Sequence, residues 1–188
     1  ITGIILAGGK SSRMGTDKGL LKLNNSTFIE KIATTLKPFV NDIIIVSDYK
    51  EHDAFGFKRI EDFYKNAGPL SGLLSGLYKS QTEDNIVLSC DIPFISEELL
   101  TQLTTNYNGE TLINQIECEG KTMPLIATYK KQCWLPIYKA LENDERRVRV
   151  LVKSLNPNTI SVDSDYKLMV ENINTPEQYK TLKHEFES

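Results

Sequence analysis

Short apolar runs alternate with longer amphipathic stretches along most of this chain. Three runs, at residues 3–6, 42–47 and 85–90, are almost continuously apolar and rich in β-branched side chains. Unbroken apolar runs of this length are typical of parallel strands that are covered on both faces. A shorter run near residues 57–60 predicts a further strand of the same sheet.

Helix signals occupy the intervals between these runs. Thr27 and Glu30 have the spacing of a capping box, which predicts a helix that continues to about residue 37 and ends at Pro38. Two further helices are predicted, one over residues 71–80 and one that Ser96 can cap.

The second half of the chain is less regular in its pattern. Residues 111–118 and 121–128 are predicted to form a hairpin at the edge of the sheet, joined by a Glu-Gly turn. There follow helices near 131–142 and 146–155, a strand near 159–162, and a last helix entered at Thr175-Pro176. This order predicts an α/β fold with a mainly parallel central sheet, helices on both faces and an antiparallel edge element. The whole length, 1–188, is predicted to be one domain.

Composition narrows the class of protein. The 188 residues are 40% hydrophobic and 25% charged, as in a globular domain. No apolar run approaches the roughly 20 residues of a membrane span, and the start has no signal-peptide pattern. Cys90, Cys118 and Cys133 have neither zinc nor disulfide spacing, which predicts a reducing, cytoplasmic location. His52 and His184 lie in polar stretches and are expected at the surface.

The candidate chemistry begins directly after the first predicted strand, where residues 6–18 read LAGGKSSRMGTDK. Its glycines let backbone N–H groups approach an anion, and Arg13 and Lys18 add positive charge. Residues 1–22 carry a net charge of +3, whereas the rest of the chain sums to −6. A basic loop on an acidic body favours a small phosphate-bearing ligand over nucleic acid. The spacing matches neither a P-loop nor a dinucleotide-binding fingerprint.

Two carboxylates follow predicted strands at the edge where α/β sheets bind ligands. Asp62 precedes Gly68 and Gly72, which would allow a flat base to approach the start of the next helix. A carboxylate can accept hydrogen bonds from guanine N1–H and N2–H₂, so Asp62 could bind guanine. The alternative is that this segment is an ordinary turn. Asp91 directly follows an apolar strand. Because a single carboxylate with waters and phosphates is the usual way to hold Mg²⁺, Asp91 is the candidate metal ligand rather than only a turn residue.

Two polar groups lie later in the chain. Asn172 and Asn174 alternate on an extended segment, so both side chains share one face and could bind a heterocycle; helix capping is the alternative. Arg146, Arg147 and Arg149 fall at the start of a predicted helix, where the helix dipole disfavours cations. A nearby anion or carboxylate and a solvated basic face account for them equally well.

Taken together, these segments resemble the molybdenum cofactor guanylyltransferases, a branch of the nucleotidyltransferase superfamily. The family pattern LAGG-x-S-x-RMG-x-DK is matched by residues 6–18, and the Gly-Pro-Leu element by residues 68–72. C-D-x-P is matched at 90–93 and N-x-N-T-P-E at 172–177. The first motif indicates the superfamily, and the closing asparagine pair narrows it to the molybdopterin branch.

The resemblance implies a Rossmann-like nucleotidyltransferase fold and a reaction of Mg²⁺-GTP with molybdopterin or its molybdenum-bound form. The products would be the guanine dinucleotide cofactor and pyrophosphate. It implies Mg²⁺ as cofactor, GTP and molybdopterin as partners, no nucleic acid and no membrane, and it allows transient contact with cofactor-delivery proteins.

Site residues follow by position in the matched motifs. Arg13, Lys18 and a metal on Asp91 are the predicted catalytic groups, stabilising charge on the α-phosphate and the leaving pyrophosphate. Asn172 and Asn174 are predicted on the pterin side. The predicted nucleotide-binding residues are Leu6, Ala7, Gly8, Gly9, Lys18, Asp62, Gly68, Gly72 and Asp91.

Two positions depart from the family pattern. Ser47 or Asp48 stands near the place of a family asparagine, which leaves that base contact open, and Met123 precedes a proline where some members have a histidine. The alternatives are a cytidylyltransferase, a nucleotidyltransferase with a different phosphate acceptor, or a non-catalytic module that carries the cofactor. A dehydrogenase is disfavoured because the dinucleotide fingerprint is lacking.

Overall fold

A single mixed sheet organises the computed structural model, which describes residues 1–8, 17–107 and 109–187. Its strands and those of a small hairpin are β1 (Thr2–Leu6), β2 (Lys22–Leu23), β3 (Ser26–Thr27), β4 (Asp42–Val46), β5 (Lys58–Ile60), β6 (Asp84–Ser89), β7 (Ile113–Cys118), β8 (Lys121–Lys130) and β9 (Asn158–Val162). The α-helices are α1 (Phe28–Leu36), α2 (Pro69–Lys79), α3 (Glu97–Thr105), α4 (Trp134–Glu142), α5 (Val148–Ser154) and α6 (Pro176–Glu187).

The seven-stranded sheet has the order β5-β4-β1-β6-β8-β7-β9, and β2 pairs only with β3. Strands β5, β4, β1 and β6 are parallel to one another, β8 runs antiparallel to both β6 and β7, and β9 is parallel to β7. The predicted mainly parallel sheet is confirmed.

The β7–β8 hairpin forms as predicted, but its predicted place at the sheet edge is wrong. Strand β7 is buried along nearly its whole length, so leaving one side unpaired would expose backbone groups beside apolar side chains. Strand β9, whose residues alternate between half-buried and exposed, pairs with β7 and forms the edge instead.

Helices cover both faces of the sheet, as predicted, because successive strand residues point to opposite sides. On one face, Ile5 and Ile45 pack with buried residues of α1 and α3. On the other face, Ile4 and Val46 pack with α2, α4 and α5. Each fully buried aliphatic side chain contributes about 1.5–3 kcal/mol of transfer free energy, so these two layers stabilise most of the fold.

The helix caps predicted from the sequence form in the structure, and the end of α1 differs slightly from the prediction. The main-chain N–H of Glu30 donates to Thr27 Oγ1 (3.2 Å), and the N–H of Thr27 donates to Glu30 Oε2 (2.7 Å), which completes the predicted capping box of α1. Pro38 lies within a short 3-10 turn, Lys37–Phe39, that continues from α1. Ser96 Oγ accepts from the N–H of Leu99, as predicted for α3.

The prediction that His52 lies at the surface is wrong. His52 is completely buried in the 3-10 helix Lys50–Phe55, where the Tyr49 and Phe55 rings pack near its imidazole. Its burial is compatible with its polarity because the Asp17 carboxylate, distant in sequence, lies against the ring. His184 is exposed on α6, as predicted.

Other sequence expectations concern cysteines and membranes. All three cysteines are free thiols and buried. Among the helices of residues 1–8, 17–107 and 109–187, none combines the length and the apolar character needed to cross a lipid bilayer.

Candidate functional site

A cavity of about 270 Å³ opens at the carboxyl ends of β1, β4 and β5. This is the edge of a parallel sheet where ligands bind in α/β folds. Five of the predicted nucleotide-binding residues line it: Leu6, Gly8, Asp62, Gly68 and Gly72. The structure therefore brings predicted nucleotide-binding residues from three separate segments of the chain around one cavity.

The Asp62 carboxylate lies between two glycines. A Cβ atom on Gly8 would come within 3.0 Å of Asp62 Oδ2, and one on Gly72 within 3.3 Å of Oδ1. The glycines therefore leave room for the carboxylate. Gly68 adopts φ +73°, a conformation that strains other residues, and the chain enters α2 there through Pro69.

Two buried serines of α2 fix the segment that carries Asp62. The main-chain N–H of Phe63 donates to Ser75 Oγ (2.9 Å), and the N–H of Tyr64 donates to Ser71 Oγ (3.0 Å). Sequence analysis missed this role of Ser71 and Ser75. The signal available for it was two hydroxyls four residues apart on one face of an otherwise apolar helix.

The pKa of Asp62 is raised to about 6, first because the carboxyl is largely buried and second because Asp48 is a negative neighbour, with Lys65 acting in the opposite direction. Asp62 Oδ1 is buried without a hydrogen-bond partner among the described residues. Asp48 also lines the cavity, whereas Ser47 is buried and accepts from the N–H of Tyr49. Asp62 and Asp48 therefore both line this cavity, and two carboxylates beside one space suit a ligand that presents N–H donors.

We expect Asp62→Asn to raise the midpoint of thermal unfolding at pH 7.5. Because the folded-state pKa of Asp62 lies above its ordinary value of 3.8, its contribution to stability is complete below that value and is lost as the pH rises through about 6. The gain from Asp62→Asn should therefore shrink between pH 7.5 and pH 4. Thermal unfolding across this range measures it, with the exposed Asp165→Asn as control, and an equal or lower midpoint for Asp62→Asn at pH 7.5 would contradict the expectation.

A second group of site residues joins the two ends of the chain. Lys18 Nζ donates to Asn174 Oδ1 (2.7 Å) and lies 3.7 Å from Asp91 Oδ2. The Lys18 and Asp91 side chains are only 16% and 14% exposed, so their charges interact in a partly desolvated setting. The structure thus brings together a predicted phosphate-binding residue, the predicted metal ligand and a predicted pterin-side residue.

The Asp91 carboxylate could hold a metal ion. Its Oδ1 is buried and has no hydrogen-bond partner in the part of the chain that the structure describes. The same residues contain no group of three or more His, Cys, Asp and Glu side chains that could enclose a metal ion. A metal on Asp91 would therefore take its other ligands from water and phosphate oxygens, which is the usual coordination of Mg²⁺.

The asparagine pair is fixed by its surroundings. The main-chain N–H of Ile173 donates to the Asp91 carbonyl oxygen (2.8 Å), and the Ile173 side chain is buried. Asn172 and Asn174 both line a cavity of about 320 Å³, as expected for two residues on one face of the segment. The main-chain N–H groups of Asn174 and Thr175 donate to Gln178 Oε1, so the start of α6 holds the pair in place.

A larger cavity of about 430 Å³ adjoins the first one and shares Pro69, Ser89 and Leu125 with it. Its other lining residues are mostly apolar: Ile92, Met123, Pro124, Ile126, Val148 and Val150, with Arg147, Arg149 and Asn172 as the polar ones. Met123 and Pro124, the site of the departure from the family pattern, thus contribute an apolar surface.

Two of the three arginines at the start of α5 form ion pairs with carboxylates, and the third lines the larger cavity. Arg147 donates through Nε and Nη2 to the Glu145 carboxylate (2.9 and 2.7 Å), and Arg146 donates to Asp144 (3.1 Å). Carboxylates therefore account for two of the cations. Arg149 is exposed and lines the larger cavity.

The remaining predicted site residues belong to the loop after β1. The N–H of Ala7 donates to the Val46 carbonyl (2.9 Å), so any ligand contact from Ala7 must use another atom. Gly9 and Arg13 lie outside the described residues, as does the rest of 9–16.

The chain is similar in sequence to proteins of one nucleotidyltransferase family. A sequence profile of the MobA-like NTP transferase domain matches residues 3–159. A protein of Flavobacterium johnsoniae named "Probable molybdenum cofactor guanylyltransferase" is 37% identical over 97% of this chain and 96% of its own. A protein of Bacillus cytotoxicus with the same name is 34% identical over 97% and 96%.

Solved structures share the fold. A protein of Aquifex aeolicus matches with a TM-score of 0.80 and 26% identity, covering 93% of each chain. The molybdopterin-guanine dinucleotide biosynthesis protein A of Archaeoglobus fulgidus matches with a TM-score of 0.78 and 21% identity, covering 98% of this chain and 97% of its own.

Proposed function

Because this chain belongs to the family of MobA-like NTP transferase domains, we propose that it transfers GMP from GTP to the terminal phosphate of molybdopterin. The products are the guanine dinucleotide cofactor and pyrophosphate. The observation that carries the assignment is the pair of adjoining cavities at the carboxyl edge of the sheet, with Lys18, Asp91 and Asn174 in contact beside them. A transfer between two substrates needs such a paired site.

We assign the smaller cavity to the guanine nucleotide. Guanine presents two adjacent donors, N1–H and N2–H₂, and the carboxylate residues Asp62 and Asp48 both line this cavity. Gly8, Gly72 and the entry to α2 at Gly68 allow close approach of the nucleoside. The ionised form of Asp62 is the one that accepts both hydrogen bonds.

We assign the larger cavity to the acceptor. Its apolar lining suits the flat pterin ring, and Asn172 at its border offers an amide for the ring's polar edge. Arg149 supplies a cation near the acceptor phosphate, which a guanidinium binds well. Asn174, through Lys18, connects the acceptor side to the phosphates of the donor.

The reaction is one displacement at phosphorus. An oxygen of the molybdopterin phosphate forms a bond to the α-phosphorus of GTP, and the bond from that phosphorus to the bridging oxygen of the β-phosphate breaks. Because the attacking phosphate is already an anion at neutral pH, no general base is required. The obstacle is repulsion between anions, so catalysis rests on positioning and electrostatic stabilisation.

Lys18 and Asp91 can reduce the repulsion between the two phosphate anions. Lys18 Nζ is held by Asn174 and retains further N–H donors for phosphate oxygens. Asp91 would hold Mg²⁺, which when bound neutralises charge on the α-phosphate and on the leaving pyrophosphate. Arg13 stays a predicted catalytic residue on the basis of its motif alone. Three further statements also stay predictions: the cytoplasmic location, the single domain over 1–188 and the transient contacts with delivery proteins.

The test is pyrophosphate release from each of the four nucleoside triphosphates in the presence of Mg²⁺ and molybdopterin. We expect release with GTP and at least about 10²-fold less with CTP, because a site built around buried acceptors discriminates against a base that lacks the matching donors. Equal or greater release with CTP would assign the chain to the cytidylyltransferases instead.

A binding measurement separates the enzyme from a carrier module. Mg²⁺-GTP should raise the thermal unfolding midpoint where Mg²⁺-CTP at the same concentration does not, since a ligand that binds the folded state stabilises it. Stabilisation by GTP without pyrophosphate release from any nucleotide would favour a non-catalytic carrier of the cofactor.

A further inference from the structure

A completely buried histidine lies next to the residue that precedes Lys18. His52 has no exposed surface, and its Nε2 lies 2.7 Å from Asp17 Oδ2, a carboxylate that is itself only 12% exposed. At 2.7 Å these two atoms are in direct polar contact, and within the described residues His52 Nδ1 has no hydrogen-bond partner. Burying two polar side chains is costly even when they contact each other, so this pair calls for an explanation beyond its contribution to stability.

The other oxygen of Asp17 controls the turn that begins at Lys18. Asp17 Oδ1 accepts from the main-chain N–H of Gly19 (2.8 Å), which makes Asp17 the N-cap of the 3-10 helix Lys18–Leu20. One carboxylate thus contacts His52 with one oxygen and caps this turn with the other. A shift of the Asp17 side chain would move the backbone of Lys18 with it.

The surroundings hold the imidazole in one place. The rings of Tyr49 and Phe55 lie 5.9 and 5.7 Å from the His52 ring, centroid to centroid. A Cβ atom on Gly19 would come within 3.1 Å of His52 Nε2 and within 2.5 Å of Ile29 Cδ1. The turn therefore packs directly onto the imidazole, at a position where a side chain would separate the two.

We propose that His52 is a positioning residue for the transfer reaction. By holding Asp17, it fixes the turn from which Lys18 extends, so that Lys18 Nζ stays at Asn174 and Asp91. The inference rests on the proposed role of Lys18 at the phosphates. His52 itself does not touch substrate.

The first test replaces His52 by Phe, which keeps a buried ring and removes the nitrogens. We expect kcat with GTP and molybdopterin to fall about 10- to 100-fold, because small misplacements of catalytic groups have effects of this size. KM for GTP should change by less than about 3-fold, since an interaction used mainly in the transition state lowers kcat rather than raising KM. His52→Gln, which retains an amide N–H donor, should recover part of the rate.

The decisive measurement is the double variant His52→Phe/Lys18→Ala. If His52 acts through Lys18, the double variant is no slower than Lys18→Ala alone. Leu103→Ala, a change in the buried face of α3, serves as the control for loss of stability, and its kcat per folded molecule should equal that of the unmodified protein.

Each other outcome overturns a defined statement. If Lys18→Ala is slow but His52→Phe keeps the full rate, or if the two losses multiply in the double variant, the role of His52 is wrong and the proposed function stands. If Lys18→Ala keeps the full rate, the proposed role of Lys18 fails and the inference about His52 fails with it. Should His52→Phe not fold, Asp17→Asn, which keeps a cap oxygen for Gly19, is measured against Lys18→Ala by the same criteria.

Discussion

Asp91→Ala is expected to lose nearly all turnover, at least about 10³-fold in kcat, while the protein stays folded. A metal ligand at the reacting phosphate contributes several kcal/mol of transition-state stabilisation, and about 4 kcal/mol corresponds to this factor. Asp91 Oδ1 is buried and has no hydrogen-bond partner among the described residues, so the substitution breaks no hydrogen bond at this oxygen. The main-chain contact from Ile173 uses the Asp91 carbonyl and survives the substitution.

The rate of pyrophosphate release and the thermal unfolding midpoint are measured together. Asp91→Asn should be as slow as Asp91→Ala, and its unfolding midpoint should fall by a limited amount, because the Lys18 ammonium loses a counter-charge at 3.7 Å while both side chains stay partly exposed. Asp84→Asn is the matched control, since Asp84 begins the same strand at the end away from the site and pairs with Lys130. A rate for Asp91→Ala within about 3-fold of the unmodified protein would refute the magnesium assignment.

Most of the fold was predictable because its signals are local. The capping box of Thr27 and Glu30 depends on residues three apart, and the buried strands β1, β4 and β6 are marked by their own apolar runs. Such signals act within one segment, so no knowledge of the tertiary structure is needed to interpret them.

The errors arose where distant segments decide the outcome. The placement of the β7–β8 hairpin depended on β9, whose residues pair with β7 residues 44 positions earlier in the chain. The polar neighbours of His52 along the chain indicated an exposed side chain. His52 is buried instead because it contacts Asp17, which is distant in sequence. Neither partner can be recognised from the spacing of residues within one element.

The candidate site shows the same division. Asp62, Gly68 and Gly72 line one cavity, because the carboxyl ends of parallel strands meet at one edge of the sheet, and their role in nucleotide binding stays a prediction. The serine hydroxyls of α2 that hold this segment were missed, since Ser71 and Ser75 resemble ordinary small residues of a buried helix. Likewise, the contact of Lys18 with Asn174 joins residues that the motifs had assigned to different substrates.

Lys18→Ala is expected to slow pyrophosphate release by about 10²-fold or more, the effect of removing one preorganised electrostatic group. Lys18 Nζ donates to Asn174 Oδ1 at 2.7 Å, and this contact orients the ammonium for the charge that develops on the phosphates. Lys22→Ala, which removes an equal charge from an exposed side chain four residues later, should keep the full rate. Lys18→Arg should recover little, because a planar guanidinium does not reproduce the contact of a compact ammonium with Asn174.

The position of Lys18 also predicts which kinetic constant changes. Lys18 Nζ is oriented by its hydrogen bond to Asn174 Oδ1 (2.7 Å), so its contribution depends on how much negative charge the phosphates place beside it. As the bond to pyrophosphate breaks, the negative charge near Lys18 increases and the same ammonium becomes more favourable. The loss in Lys18→Ala should therefore appear mainly in kcat, with KM for GTP changed by less than about 5-fold. A full loss in KM with an unchanged kcat would make Lys18 a binding residue only, and an unchanged rate would exclude it from the site.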